Sequence, residues 1–109
     1  MCGIIGFTGE ENCVPLLLNA LSALEYRGYD SAGIAYRTDS GIKIIKTSGK
    51  IQALREKIAE SGISRKNHPN AEPISSDCGI GHTRWATHGI PSDTNAHPHR
   101  APGLNLVLN

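Results

Sequence analysis

Cys2 directly follows the initiator Met1 and precedes Gly3. Removal of Met1, which so small a second residue permits, leaves this cysteine with both a thiol and a free α-amine. An α-amine with a pKa near ~8 is in part an unprotonated base at neutral pH. One residue would then carry nucleophile and base together, as in the Thr/N-terminal-amine arrangement. The same cysteine also reads as a small apolar side chain opening a buried strand. A second segment, Tyr26-Arg27-Gly28-Tyr29-Asp30-Ser31-Ala32-Gly33, combines two glycines with an arginine and an aspartate. It suits either close backbone approach with a charge-assisted network or a plain helix stop with an Asp-Ser turn. The densest segment, residues 82–99, holds four of the five histidines together with Arg84, Trp85, Thr83 and Thr87. An arginine forks onto a carboxylate, hydroxyls and loop amides fix polar head groups, and a tryptophan beside them walls off water. Three readings stand for it: a substrate loop, ordinary loop and core histidines, or a zinc module. The spacing fits no standard Cys/His zinc pattern, and Cys78 is the sole thiol close by in sequence.

These residues need elements to hold them. Residues 2–8, short, apolar and glycine-punctuated, predict an N-terminal strand. Asn12 or Cys13 can cap a helix with Pro15 in its first turn, and Val14, Leu17, Leu18, Leu21 and Leu24 fall on one face. That helix ends before Gly28. Residues 33–36 and 42–46 predict two strands joined through Thr38-Asp39-Ser40-Gly41. A second helix follows Ser48-Gly49, with Ile51, Leu54 and Ile58 inward and Gly62 just past its end. Residues 61–77 predict a surface loop, 78–83 a strand, and 87–102 an irregular stretch rich in Pro, Gly, His and Asn. The sum is helices packed on stacked sheets. Residues 104–109 alternate as a strand that simply stops, the expectation for a domain cut short.

Composition sets the outer bounds. The 109 residues are 39% apolar and 19% charged, enough for a core and outside the disordered class. Eleven Lys and Arg against ten Asp and Glu leave +1. That balance argues against a nucleic-acid or anionic-membrane partner. No apolar run approaches the length of a bilayer span, and no secretory signal is visible. Cys2, Cys13 and Cys78 are an odd number without CxxC spacing, which points to a reducing, cytoplasmic compartment.

Taken together, CGIIGFTG at residues 2–9, LEYRGYDSAG at 24–33 and HTRWATHGIPSDTNAHPH at 82–99 resemble the class II glutamine amidotransferases. The likeness covers residues 2–109 and is closest to the hexosamine-forming members, through Tyr29 and the HTRWATHG loop. It implies an α+β fold, an αββα sandwich of the N-terminal nucleophile hydrolase type. Residues 1–109 would form part of a glutaminase domain, with the sugar-isomerase domains absent from this chain. Cys2 would attack the carboxamide of L-glutamine, and Arg27 and Gly28 would hold the nucleophile's end of the chain. Arg84 would pair with the glutamine α-carboxylate, while Thr87 and His88 would line the loop that closes over it. Trp85 would direct ammonia onward, and His97 would lie at the boundary with the synthase half. Asn109 would supply an oxyanion donor, a kind of group whose removal costs about 2.7–4 kcal/mol of barrier. The chain stops there, before the glycine that supplies the second donor. Ammonia would pass to an isomerase domain that turns fructose 6-phosphate into glucosamine 6-phosphate, with no cofactor or metal and with a homodimer as the full-length form. The competing readings are another class II amidotransferase with a different ammonia acceptor, or a non-catalytic fragment or metal-binding module.

Overall fold

The computed structural model describes residues 2–39, 41–66, 76–87, 89–101 and 107–108. For Arg27, residues 61–66, Val107 and Leu108 the description covers the backbone alone. In chain order the elements are β1 (Gly3–Thr8), α1 (Cys13–Ala23), a 3-10 turn (Glu25–Arg27), β2 (Ser31–Thr38), β3 (Gly41–Ser48), α2 (Ile51–Lys66), β4 (Cys78–Arg84), β5 (His99–Arg100) and β6 (Val107–Leu108). The first four strands form one antiparallel sheet in the order β1-β4-β2-β3, and β5 pairs with β6 in a separate two-stranded sheet.

Asn12 caps α1: its Oδ1 accepts from the Val14 N–H (3.2 Å) and also from the Ser76 N–H (3.2 Å), tying the helix start to the approach to β4. Leu17, Leu21, Ile34, Ile51 and Leu54 are fully buried between the helices and the sheet. Side chains alternate between the faces of a strand. Register therefore sorts them: Ile34 pairs with Gly81 and Ile45 under the helices, while Gly33 pairs with His82 and Lys46 on the opposite face. That opposite face carries the candidate chemistry at one end of the sheet. Further along it presents Ile42, Ile44 and Ile80 half-buried, and Ile4, which pairs with His82, is 68% exposed.

Two expectations change. The second helix does not stop before Gly62 but runs to Lys66, so the first part of the loop anticipated over residues 61–77 is helical, and residues 67–75 lie outside the described residues. One glycine inside a helix costs only about 1 kcal/mol against alanine, which the packing of Ile51, Leu54 and Ile58 offsets. The irregular stretch over residues 87–102 contains β5, a strand too short to leave a periodic signal. Among the described residues both helices lie on one face of the four-stranded sheet, with β5 and β6 forming a separate pair, an α+β arrangement. Of the strand expected over residues 104–109, Val107 and Leu108 pair with β5, and the remainder lies outside the described residues.

Candidate active site

The site starts where β1 enters the sheet. The Gly3 N–H donates to Thr83 Oγ1 at 3.1 Å, and Thr83 is buried, so residue 2 is pinned beside the exit of β4. The exposed Cys2 Sγ accepts from the Trp85 N–H at 3.4 Å and lies 3.9 Å from the Trp85 carbonyl oxygen.

A second clasp shapes the turn after β4. The Asp30 N–H donates to the Arg84 carbonyl at 2.8 Å, and an Asp30 carboxylate oxygen accepts from the Ala86 N–H. The other carboxylate oxygen accepts from Ser31 Oγ at 3.1 Å. Just before it, Tyr29 donates its hydroxyl to Glu25 (2.6 Å) and accepts from the Ile51 N–H (2.7 Å), closing the start of α2. Burial, with help from Glu25, pushes the Tyr29 hydroxyl up to about 12, so it stays protonated. Gly28 has φ +75°, and a Cβ built there would lie 2.8 Å from the Trp85 ring. Only glycine both adopts that backbone and leaves room for the indole. Tyr29, Asp30, Trp85, Ala86, Thr87, Gly89, Ile90 and Pro91 together line an open, largely apolar cleft of about 670 Å³.

Beside this cleft the His82 and His97 rings stack at 4.4 Å, and His97 meets His99 edge-on at the same spacing. His82 is 5% exposed, and burial, then His97, Arg84 and His99, pull its pKa down to about 4, so it is neutral. Burial lowers His99 as well, aided by Lys46 and Arg84. Among the described residues no three His, Cys, Asp or Glu side chains are grouped to hold a metal ion. No helix among them is long and apolar enough to cross a membrane.

Of the expected site residues, Trp85 and Thr87 line the cleft, and Cys2 and Gly28 each lie against Trp85. Arg84 is half-buried at its edge, close to the histidine stack, and His97 belongs to that stack rather than to the cleft lining. The backbone of Arg27 closes the 3-10 turn, while His88 and Asn109 lie outside the described residues. Sequence reasoning gave no individual role to Asp30 or Thr83, the two residues that clamp the nucleophile's surroundings. Their motifs were visible, but their partners lie 56 and 80 residues away.

Fold and site define a small α+β unit that holds an exposed cysteine, Cys2, against Trp85 of an open cleft. Its relatives narrow this further. The chain is 52% identical over 108 residues to the isomerizing glutamine–fructose-6-phosphate aminotransferase of Thermus thermophilus. It is 52% identical over 109 residues to the same-named protein of Fusobacterium nucleatum, and 50% identical over 108 residues to that of Shouchella clausii. Each match takes in 99% of this chain. No family model matches. The chain is a relative of the isomerizing glutamine–fructose-6-phosphate aminotransferases, and it spans 16% of the length of each.

Proposed function

We propose that this chain is the nucleophile-bearing part of a glutaminase domain, feeding ammonia to the conversion of fructose 6-phosphate into glucosamine 6-phosphate. The observation that carries the reading is the Cys2 sulfur resting on the Trp85 N–H at a cleft rim, in a chain about half identical to aminotransferases of that name. With Met1 removed, the α-amine of Cys2 takes the thiol proton and Sγ attacks the glutamine carboxamide carbon. The C–N bond breaks, nitrogen takes up a proton and leaves as ammonia, and a γ-glutamyl thioester remains. Water then cleaves the thioester to glutamate and restores the thiol. Arg84 pairs with the α-carboxylate, Thr87 and His88 line the closing loop, and Trp85 directs ammonia onward. His97 sits at the boundary with the synthase half. Arg27 and Gly28 hold the turn behind the nucleophile, and Asn109 supplies an oxyanion donor.

The fold proposal is the αββα sandwich. It draws support from the sheet face opposite the helices, where half-buried Ile42, Ile44 and Ile80 and exposed Ile4 present the kind of apolar surface that a second sheet buries.

Intact mass before and after a glutamine-mimicking diazo-ketone tests the function. The expected result is loss of Met1 and one covalent adduct that is absent in Cys2→Ala. A retained Met1, or an adduct that persists in Cys2→Ala, would overturn the reading.

A further inference from the structure

The segment that follows the cleft is held from the far edge of the sheet. Lys46, on edge strand β3, points its ammonium at two backbone carbonyls, Thr94 O at 3.3 Å and Ala96 O at 2.9 Å, and lies 3.5 Å from His99 Nδ1. Those two carbonyls flank Asn95. Its Nδ2 donates to the carbonyl of Ile90 at 3.0 Å, and Ile90 lines the cleft. A Cβ on Gly89 would come within 3.1 Å of the same Asn95 amide.

Asp93 makes a second attachment. Its Oδ1 accepts from the Ser48 N–H at 2.7 Å and from Ser48 Oγ at 3.2 Å, and its Oδ2 meets the Lys57 ammonium at 3.2 Å. Lys57 also donates to the Lys46 carbonyl at 2.7 Å, so α2 braces the same point of β3. The segment lies directly on the sheet: the His97 carbonyl occupies the space that any side chain at position 33 would need, with a Cβ there only 2.1 Å away.

An ammonium taken out of water keeps its charge only where acceptors surround it. Burial lowers the pKa of Lys46, and Asp93 opposes that shift. The neighbouring cations Lys43, Lys57 and Arg100 line a groove with Lys46 and Asp93. Three of these cations already bind protein oxygens: Lys46 as above, Lys57 on Lys46 O and Asp93, and Arg100 on the Ile42 carbonyl. The cluster therefore serves an internal purpose rather than an anionic ligand.

We infer that Lys46 and Asp93 are positioning residues that latch the 92–97 segment to β3, so that Asn95 fixes the Ile90 rim of the cleft in its substrate-binding position. The inference deepens the glutaminase reading and rests on it. It assigns the latch to substrate binding rather than to bond-breaking, because Cys2 and its Trp85 N–H lie at the opposite end of the cleft-forming turn.

Two measurements on the whole chain test it. Saturation kinetics of diazo-ketone labelling separate the half-saturating concentration from the limiting rate. Lys46→Met should raise the former about tenfold, the effect of losing one charge-assisted hydrogen bond, and leave the latter within about twofold. Lys46→Arg, which keeps donors on both carbonyls, should restore it. Hydrogen exchange provides the readout that needs no reagent: amides in residues 89–96 should exchange faster in Lys46→Met while α1 and β2 stay protected. Unchanged exchange in that segment overturns the latch even where labelling succeeds. A fall in the limiting rate alone, or failure of Lys46→Arg to restore binding, overturns the positioning role. Absence of labelling in the unmodified chain counts instead against the glutaminase reading and leaves the exchange comparison to decide the latch. Should Lys46→Met not fold, Asp93→Asn probes the same segment. It retains an acceptor for the Ser48 N–H but loses the Lys57 pair, and a smaller change in the same direction is expected.

Discussion

The two faces of the four-stranded sheet are built on different physics. Under the helices, Leu17, Leu21, Ile34, Ile51 and Leu54 are fully buried, and the face is held by removing apolar surface from water. On the opposite face, at the end that carries the cleft, Cys2, His82, Arg84 and Lys46 share the space with His97 and His99. That face is held by directional bonds between residues distant in sequence, from Ala86 to Asp30 and from Lys46 to Thr94 and Ala96. A non-directional core tolerates imprecise neighbours and supplies stability. A polar face works only when each partner is in place, so it supplies geometry and is the more easily disturbed by single changes or by pH.

Four perturbations separate the faces. The largest is Leu17→Ala, expected to cost about 2–5 kcal/mol in urea unfolding while leaving labelling of Cys2 in the folded fraction unchanged. A loss under about 1 kcal/mol would mean that the helix-covered face is not the main source of stability.

Next comes acid. His82 is neutral in the folded chain with a pKa of about 4, against an ordinary value of 6.5. The unfolded chain therefore binds the extra proton first, so stability is intact above 6.5 and falls as pH drops toward 4. The whole window is worth up to about 3 kcal/mol. His99, also lowered, adds in the same direction. His82→Asn should flatten the decline in a series of melts at pH 6.5, 5.5 and 4.5, and an equal slope in both proteins would remove His82 as its cause.

Asp30→Asn comes third, at about 1–2 kcal/mol for weakening charge-assisted bonds to the Ala86 N–H and Ser31. Unlike Leu17→Ala, it should slow labelling of Cys2 in chain that is still folded. The smallest effect belongs to Arg37→Gln. It breaks a bidentate pair with Asp77, but both partners are largely exposed, so no resolvable change in melting midpoint is expected.

The same division explains what could be read in advance. The period of Val14, Leu17, Leu18 and Leu21 marked the inward face of α1, and Asn12 was one of two residues expected to cap it. The alternation around Ile34 and Ile45 marked two paired strands, which the structure extends at both ends. The end of the second helix was misplaced at Gly62 because a glycine's local cost was weighed without the packing that outweighs it. Cys2, Gly28, Trp85 and Thr87 were singled out by residue type; in the structure Cys2 and Gly28 lie against Trp85, and Trp85 and Thr87 line the cleft. Asp30, Thr83 and Lys46 were not assigned roles, since an aspartate after a turn, a threonine in a strand and a lysine on an edge strand have ordinary uses everywhere.

Sequence by itself determined the element types, the apolar side of each, and the presence of an N-terminal thiol with a glycine-rich turn and an Arg-Trp loop. These follow from periodicity, capping and chemistry, which act over a few residues. Tertiary structure alone decided that β4 lies between β1 and β2. That order places the turn after Arg84 against both Cys2 and Asp30, and the 92–97 segment across Gly33 onto Lys46. Strand order is set by how the apolar faces pack together, so contacts spanning 50 to 83 residues leave no local mark in the chain.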